Sequence, residues 1–209
     1  MAKAAWCTVT PTSGKENGTI NISATAHTGR AARTTSVTVQ AANGERPSAS
    51  IAVNQAAAAV ATTMDATKPD IPKEGGVVTI NGTSNSSKLN WTLGPFINGQ
   101  IVAIDENGYP VVVKVNSVSI TKNTLIAGDP GASAVYSFVA TLTAPASPFA
   151  VDVPFKFRVT DDSGVSKDCS FTVKAGKSTL SVDKSSLSLV NAGTAQPVAI
   201  TSNDSWTVS

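Results

Sequence analysis

Residues 178–209 read STLSVDKSSLSLVNAGTAQPVAITSNDSWTVS. Leu180 and Val182, Leu187 and Leu189, Val198 and Ile200, and Trp206 and Val208 each stand two residues apart. Period-two spacing puts each pair on one face of a strand, so the stretch reads as a set of half-buried strands. Asn191-Ala192-Gly193 and Ser202-Asn203-Asp204 separate them with residue types that turns favour. Strands this few do not close a core, because a hairpin is marginal in water until further strands or a partner surface cover it. The fold expected from this stretch is all-β, with an apolar face that needs completion.

Working outward, the other end of the chain carries the same character. Strands are expected near 6–10, 18–25, 34–41 and 49–55, with Ile20 and Ile22, Val37 and Val39, and Ile51 and Val53 as same-face pairs. Two stretches here resemble a known family. Ser202-Asn203-x-x-Trp206-x-Val208-Ser209 resembles the middle of a BACON domain, an Ig-like module of Bacteroidetes proteins and their phages. So do Trp6-Cys-Thr-Val-Thr-Pro-x-Ser-Gly14, Gly18-Thr-Ile-x-Ile-Ser-Ala24, Arg33-Thr-x-x-Val-x-Val39 and Ile51-x-Val-x-Gln55. Relative to the family the order is reversed, with the first half last and the second half first. The resemblance implies that residues 1–58 and 178–209 are two halves of one BACON-like sandwich.

Between them, residues 64–176 read as a second unit. Strands are expected at about 77–81, 88–93, 99–105, 110–119, 135–143, 150–160 and 167–174, a spacing that suits an Ig-like sandwich. Glu106-Asn107-Gly108 and Asp161-Asp162-Ser163-Gly164 are read as hairpin turns. The loop Thr121–Ala134 is the longest and the expected contact loop. Ala56–Ala61 is read as a linker or strand tail. The expected architecture is two Ig-like β-sandwich domains, one of them completed by the N- and C-terminal segments. Completion within the chain or by a neighbouring subunit would bury Leu187, Leu189, Val198, Ile200, Trp206 and Val208. The short linkers at Ala175–Lys177 and Ala56–Thr63 favour closure in one chain.

Composition narrows the chemistry. The chain has 209 residues, 41% hydrophobic and 14% charged, and a net charge of +2, which makes no electrostatic case for nucleic acid or an anionic membrane. Cys7 and Cys169 fall in different units and are read as free thiols. The start, MAKAAWC, lacks the apolar run of a secretory leader, and no segment has the length of a membrane span. His27 is the only histidine and sits in a turn, where it is read as solvated. Asp161-Asp162 and Asp105-Glu106 could serve as a carboxylate pair or calcium ligands, but both lie in turns, where backbone chemistry favours Asp. No cofactor is expected, and an enzyme is not.

Sugar binding is the competing chemistry, since stacking on a pyranose needs exposed aromatic faces. Trp91, alternating with Leu89 and Leu93, and Trp206, alternating with Val208, read as core residues. Trp6 and Tyr109 remain as candidate glycan contacts. The family resemblance, the missing leader and the lack of a chemical site together imply a structural virion protein. The expectation is a capsid decoration (auxiliary head) protein of a phage infecting Bacteroidetes, made in the host cytoplasm and carried on the virion. Its expected partners are the major capsid protein or other virion proteins, further copies of itself through strand exchange, and, weakly, host glycans. The alternatives are a carbohydrate-binding surface module of a bacterium, a phage tail component, or an accessory domain of a hydrolase.

Overall fold

The computed structural model describes residues 2–105 and 107–209. Nine-residue stretches of alternating character build its centre. In β11 (Tyr136–Ala144), Tyr136, Phe138, Ala140, Leu142 and Ala144 point inward while the residues between them are exposed or half-buried. In β12 (Val153–Asp161), Phe155, Phe157, Val159 and Asp161 do the same. Both patterns follow from the two-residue repeat of a strand packed on one face.

Two sheets stack through these faces. The first has the order β10 (Val118–Ser119), β9 (Val111–Val115), β11, β6 (Gly76–Ser84) and β5 (Thr62–Met64). The second runs β13 (Ser166–Val173), β12, β7 (Leu89–Ile97) and β8 (Gln100–Ile101). Ile80, Leu89, Val113, Phe138, Phe155 and Phe157 are almost wholly buried between them. Phe155 centres an aromatic cluster, 5.7 Å from Tyr109, 5.9 Å from Phe149 and 6.1 Å from Phe171, within the range where ring pairs attract. The expected Ig-like unit is therefore present, and its first strand, β5, begins at Thr62 inside what reads as linker.

Turn chemistry decides which strands meet. Asp161 closes the β12–β13 hairpin as expected: its Oδ1 accepts from Ser163 N at 3.0 Å, Ser163 Oγ at 2.6 Å and Val165 N at 3.0 Å. The hairpin expected at Glu106-Asn107-Gly108 does not form. Glu106 itself lies outside the described residues, but β8 before it pairs with β7 and β9 after it pairs with β11, so the segment crosses from one sheet to the other. Asn107 and Gly108 are bound back to Asp105 in a local turn, with Asn107 N donating to Asp105 Oδ1 at 3.0 Å. The primed hairpin turns lie elsewhere, at Asn98-Gly99 (φ 51° and 80°) and Asn116-Ser117 (φ 48° and 68°). Positive φ at both central positions matches the twist of the flanking strands.

The N-terminal segment forms two separate hairpins, β1 (Cys7–Thr10) with β2 (Asn21–Ala24) and β3 (Arg33–Gln40) with β4 (Ser48–Gln55). The C-terminal segment forms a third, β14 (Leu180–Val182) with β15 (Ile200–Ser202). Closure of the outer segments within one chain, favoured by linker length, is not what the structure shows. The chain enters the sandwich at Thr62, opposite Ser84, and leaves at Val173, opposite Val153 at the far end of the strands. The reason is that the entering and leaving segments run parallel, bridged at Thr67–Ser170 and Ile71–Val173. An eight-residue strand such as β13 therefore separates the two joints by roughly 25 Å at 3.3 Å per residue.

Candidate functional site

The joint at the entry end is built from the loop between β2 and β3. Arg30 N donates to Gly131 O at 2.9 Å and Ala31 N to Ala132 O at 2.8 Å, which lays this loop along the single helical turn α1 (Pro130–Ser133). The Arg30 guanidinium grips Asp129 through Nη2, 2.7 and 2.9 Å from the two carboxylate oxygens, and also donates to Asn85 O and Ser87 Oγ. Asn85, fully buried, ties three segments: its Nδ2 donates to Thr28 O and Ala59 O, both at 2.9 Å, and its Oδ1 accepts from Ala61 N at 2.8 Å. A Cβ on Gly29 would strike the backbone of Ala132 and Ser133, and one on Gly131 would strike Asn85, so glycine lets the two backbones touch. The loop 121–134 is thus a contact loop, but the partner it touches is the chain's own N-terminal unit. No sequence signal marked Arg30 or Asn85, because their partners at the joint lie 24–99 residues away.

Past this joint, the two N-terminal hairpins leave a groove of about 610 Å³ whose apolar lining includes Val9, Ile20, Val37 and Val39. Cys7 and Val37 are the buried apolar residues of this unit, while Val39 is 50% and Ile51 42% exposed. Trp6, a candidate glycan contact, is half-buried, and the Arg33 guanidinium lies 4.7 Å above its ring. Arg33 is itself held by Gln55 Oε1 and Thr25 O, both at 2.9 Å, so one face of Trp6 is occupied by a positioned cation. Tyr109, the second candidate, is 9% exposed and packs on Phe155. That is a correction: it sits inside the sandwich mouth at the sheet crossing, where no sugar reaches it, and burial pushes its hydroxyl above its ordinary pKa.

At the exit end, Gly176 N and Lys177 N donate to Phe149 O at 2.9 and 2.8 Å. Asn203 Nδ2 donates to Lys177 O at 2.8 Å, and Asp204 accepts from Ser178 Oγ at 2.8 Å and from Lys73 Nζ at 3.4 Å. Those bonds, Ser178 first, hold the Asp204 carboxyl below its usual range. The strand-completion residues are out in solvent. Leu187, Leu189, Val198, Trp206 and Val208 are all exposed, Trp206 at 50% and Val208 at 82%, and Ile200 is half-buried. Trp206 departs from its core reading, whereas Trp91 is buried as its alternation implies.

The carboxylates behave as turn groups. Asp161 is saturated as described and also takes Thr62 Oγ1 at 3.1 Å, and Asp162 Oδ2 accepts from Ser87 N at 2.9 Å. His27 Nε2 lies 2.7 Å from Ala31 O. Cys7 and Cys169 are free and buried, and burial pushes the Cys169 thiol up to about 11. Among the described residues, no three His, Cys, Asp or Glu converge as metal ligands, and no helix is long and apolar enough to cross a membrane.

Fold and surfaces together define an all-β chain of Ig-like character whose available chemistry is contact through exposed strands and a groove. Residues 1–56 match the BACON family, described as "Putative binding domain, N-terminal", which agrees with the resemblance carried by residues 6–55 and describes a binding rather than a catalytic unit. No curated protein matches the sequence. Among solved structures, a family 123 glycoside hydrolase from Clostridium perfringens is similar at 14% identity and a TM-score of 0.36, over 56% of this chain and 28% of that one. A conjugative transposon lipoprotein from Bacteroides eggerthii is similar at 14% identity and a TM-score of 0.28, over 54% of this chain and 95% of that one. The chain spans 28% of the length of the hydrolase.

Proposed function

We propose that this chain is a structural, partner-binding module of a bacteriophage virion, a capsid decoration protein that attaches through its Ig-like units to the major capsid protein or to a neighbouring virion protein. The observation that supports this reading most is the placement of exposed apolar strands and an open groove at opposite ends of one sandwich. Surfaces of that kind are commonly covered by another protein. The family description as a binding domain agrees with such a role. The test is quantitative mass spectrometry of particles purified from the source, with antibody labelling to place the protein. The expected result is many copies per particle on the head. A uniform tail signal would move the protein to the tail, and its absence from particles would overturn the reading.

One observation favours a second reading, a glycan-binding module. Trp206, half exposed, stands in a shallow surface depression with Asn203 and Asp204, pairing an aromatic face with polar groups. Retardation of the chain in polysaccharide gels, lost on Trp206→Ala with the melting curve unchanged, would support that reading.

A further inference from the structure

The two outer segments of this chain carry complementary deficits. In the N-terminal unit, among the described residues, β1 pairs with β2 and β3 with β4 and neither hairpin has a further strand, so both present open ladder edges beside the groove. Val37 and Ile51 are register partners, as are Val9 and Ile22, which lays apolar pairs along the hairpin faces. The C-terminal segment has the opposite problem. Its β14–β15 ladder is three residues long, and the apolar alternation at Leu187, Leu189, Val198, Trp206 and Val208 faces solvent. A row of unpaired backbone groups beside an apolar groove is what an added strand fits.

The strands do not reach their own groove. Asn203 and Asp204 hold the segment to Lys177, Ser178 and Lys73 at the exit end, while the groove lies beyond the entry end of the sandwich. The charged residues lining the groove are Lys3 and Glu16, which balance, so its fit to the C-terminal segment is one of apolar surface and open strand edges.

We propose that the groove between the two N-terminal hairpins receives the C-terminal strand segment of a second copy of this chain. The contact is head-to-tail: one copy donates Leu187, Leu189, Val198 and the Trp206–Val208 edge, and the next accepts them against Val9, Ile20, Val37 and Val39. Because donor and acceptor lie at opposite ends, the contact is heterologous and propagates into rows or closes into a ring. This inference stands apart from the virion reading, since it concerns only what the 209-residue chain does with itself.

The experiment is native mass spectrometry and sedimentation velocity of the 209-residue chain across a concentration series, with two variants. Val39→Asp spoils the acceptor and leaves the donor intact; Val208→Asp spoils the donor and leaves the acceptor intact. Both side chains are at least half exposed, and matching thermal melts confirm that the variants fold. The expected result is a ladder of oligomers for the parent chain and a rise of at least about tenfold in the association midpoint for each variant, equivalent to a loss of about 1.4 kcal/mol per contact. Mixing the variants then gives capped dimers and nothing longer, because one intact acceptor meets one intact donor. A parent chain that stays monomeric throughout leaves the groove to another partner and overturns the proposal. Oligomers indifferent to either substitution overturn it as well, as does a mixture of variants that forms no dimer.

Discussion

Replacing Arg30 with alanine tests whether the N-terminal unit is held to the sandwich by chemistry or merely lies against it. The Arg30–Asp129 pair runs through the one nitrogen Nη2 to both carboxylate oxygens, and the Asp129 side chain is 43% exposed, so solvent screening leaves it about 0.5–1 kcal/mol. The guanidinium also donates to Asn85 O and Ser87 Oγ, each worth about 1 kcal/mol net of competing water. The sum is about 2–3 kcal/mol, set against backbone bonds that survive the substitution, Arg30 N to Gly131 O, Ala31 N to Ala132 O and Ala58 N to Gly29 O. Opening of the joint therefore becomes about 30–150 times more frequent, at about 1.4 kcal/mol per factor of ten. Hydrogen exchange reads this at the amides of residues 30, 31 and 58, which exchange faster by that factor, while amides of β11 and β12 keep their rates. Asp129→Asn, which spares the bonds to Asn85 and Ser87, produces a smaller change. Unchanged exchange at the joint would refute the reasoning. So would an equal acceleration across the sandwich core, which would make Arg30 part of one cooperative unit and not a hinge pin.

Two further perturbations follow from local chemistry. Gly99→Ala places a Cβ at φ +80° in the β7–β8 turn and is expected to cost about 1–2 kcal/mol, read as a lower urea midpoint with an unchanged slope. Asp168 receives Arg158 Nε at 2.6 Å and Nη2 at 2.8 Å, with Lys156 at 3.4 Å, and the Arg158 bonds lead in holding its carboxyl below the usual range. A depressed folded-state pKa contributes stability that is complete above the unfolded value, about 4, and is lost as pH falls through the folded value. Asp168→Asn should therefore be less stable than the parent at neutral pH and converge with it in acid, as measured by urea unfolding at both ends of that range.

Much of the sandwich was legible because its strands alternate strictly: Phe155-x-Phe157-x-Val159 and Phe171-x-Val173 appear in the sequence as they pack. Asp161-Asp162-Ser163-Gly164 was legible because an Asp side chain makes its turn bonds within four residues. Asn107-Gly108 misled because the same residue types also close a purely local turn, and pairing is chosen by which sheet has room for the next strand. Strand β5 escaped because it is three residues long beside an alanine run, and the side chain of Thr62 finds its partners in Ser84 and Asp161. Tyr109 escaped because its burial comes from a crossing between sheets, to which periodicity is blind. The joint was invisible for a related reason: Arg30 and Asn85 look like ordinary loop residues until the loop 121–134 is folded against them. Of the outer strands, β1–β4, β14 and β15 were legible, whereas the alternation at Leu187–Leu189 and Trp206–Val208 forms no strand, because it has no neighbouring strand to pair with.

The parallel run of the entering and leaving segments has a mechanical meaning. Lys68 N to Ser170 O, Ser170 N to Ala66 O, Ile71 N to Thr172 O and Lys174 N to Ile71 O form one cross-linked patch between them. Tension applied through the outer units pulls these two segments in opposite directions along their length. The four bonds then resist together, in shear, and must break as a group before the sandwich can extend. Had the segments been antiparallel neighbours leaving from one end, the same pull would have peeled the bonds apart singly. The sandwich is thus wired as a tether that carries load end to end.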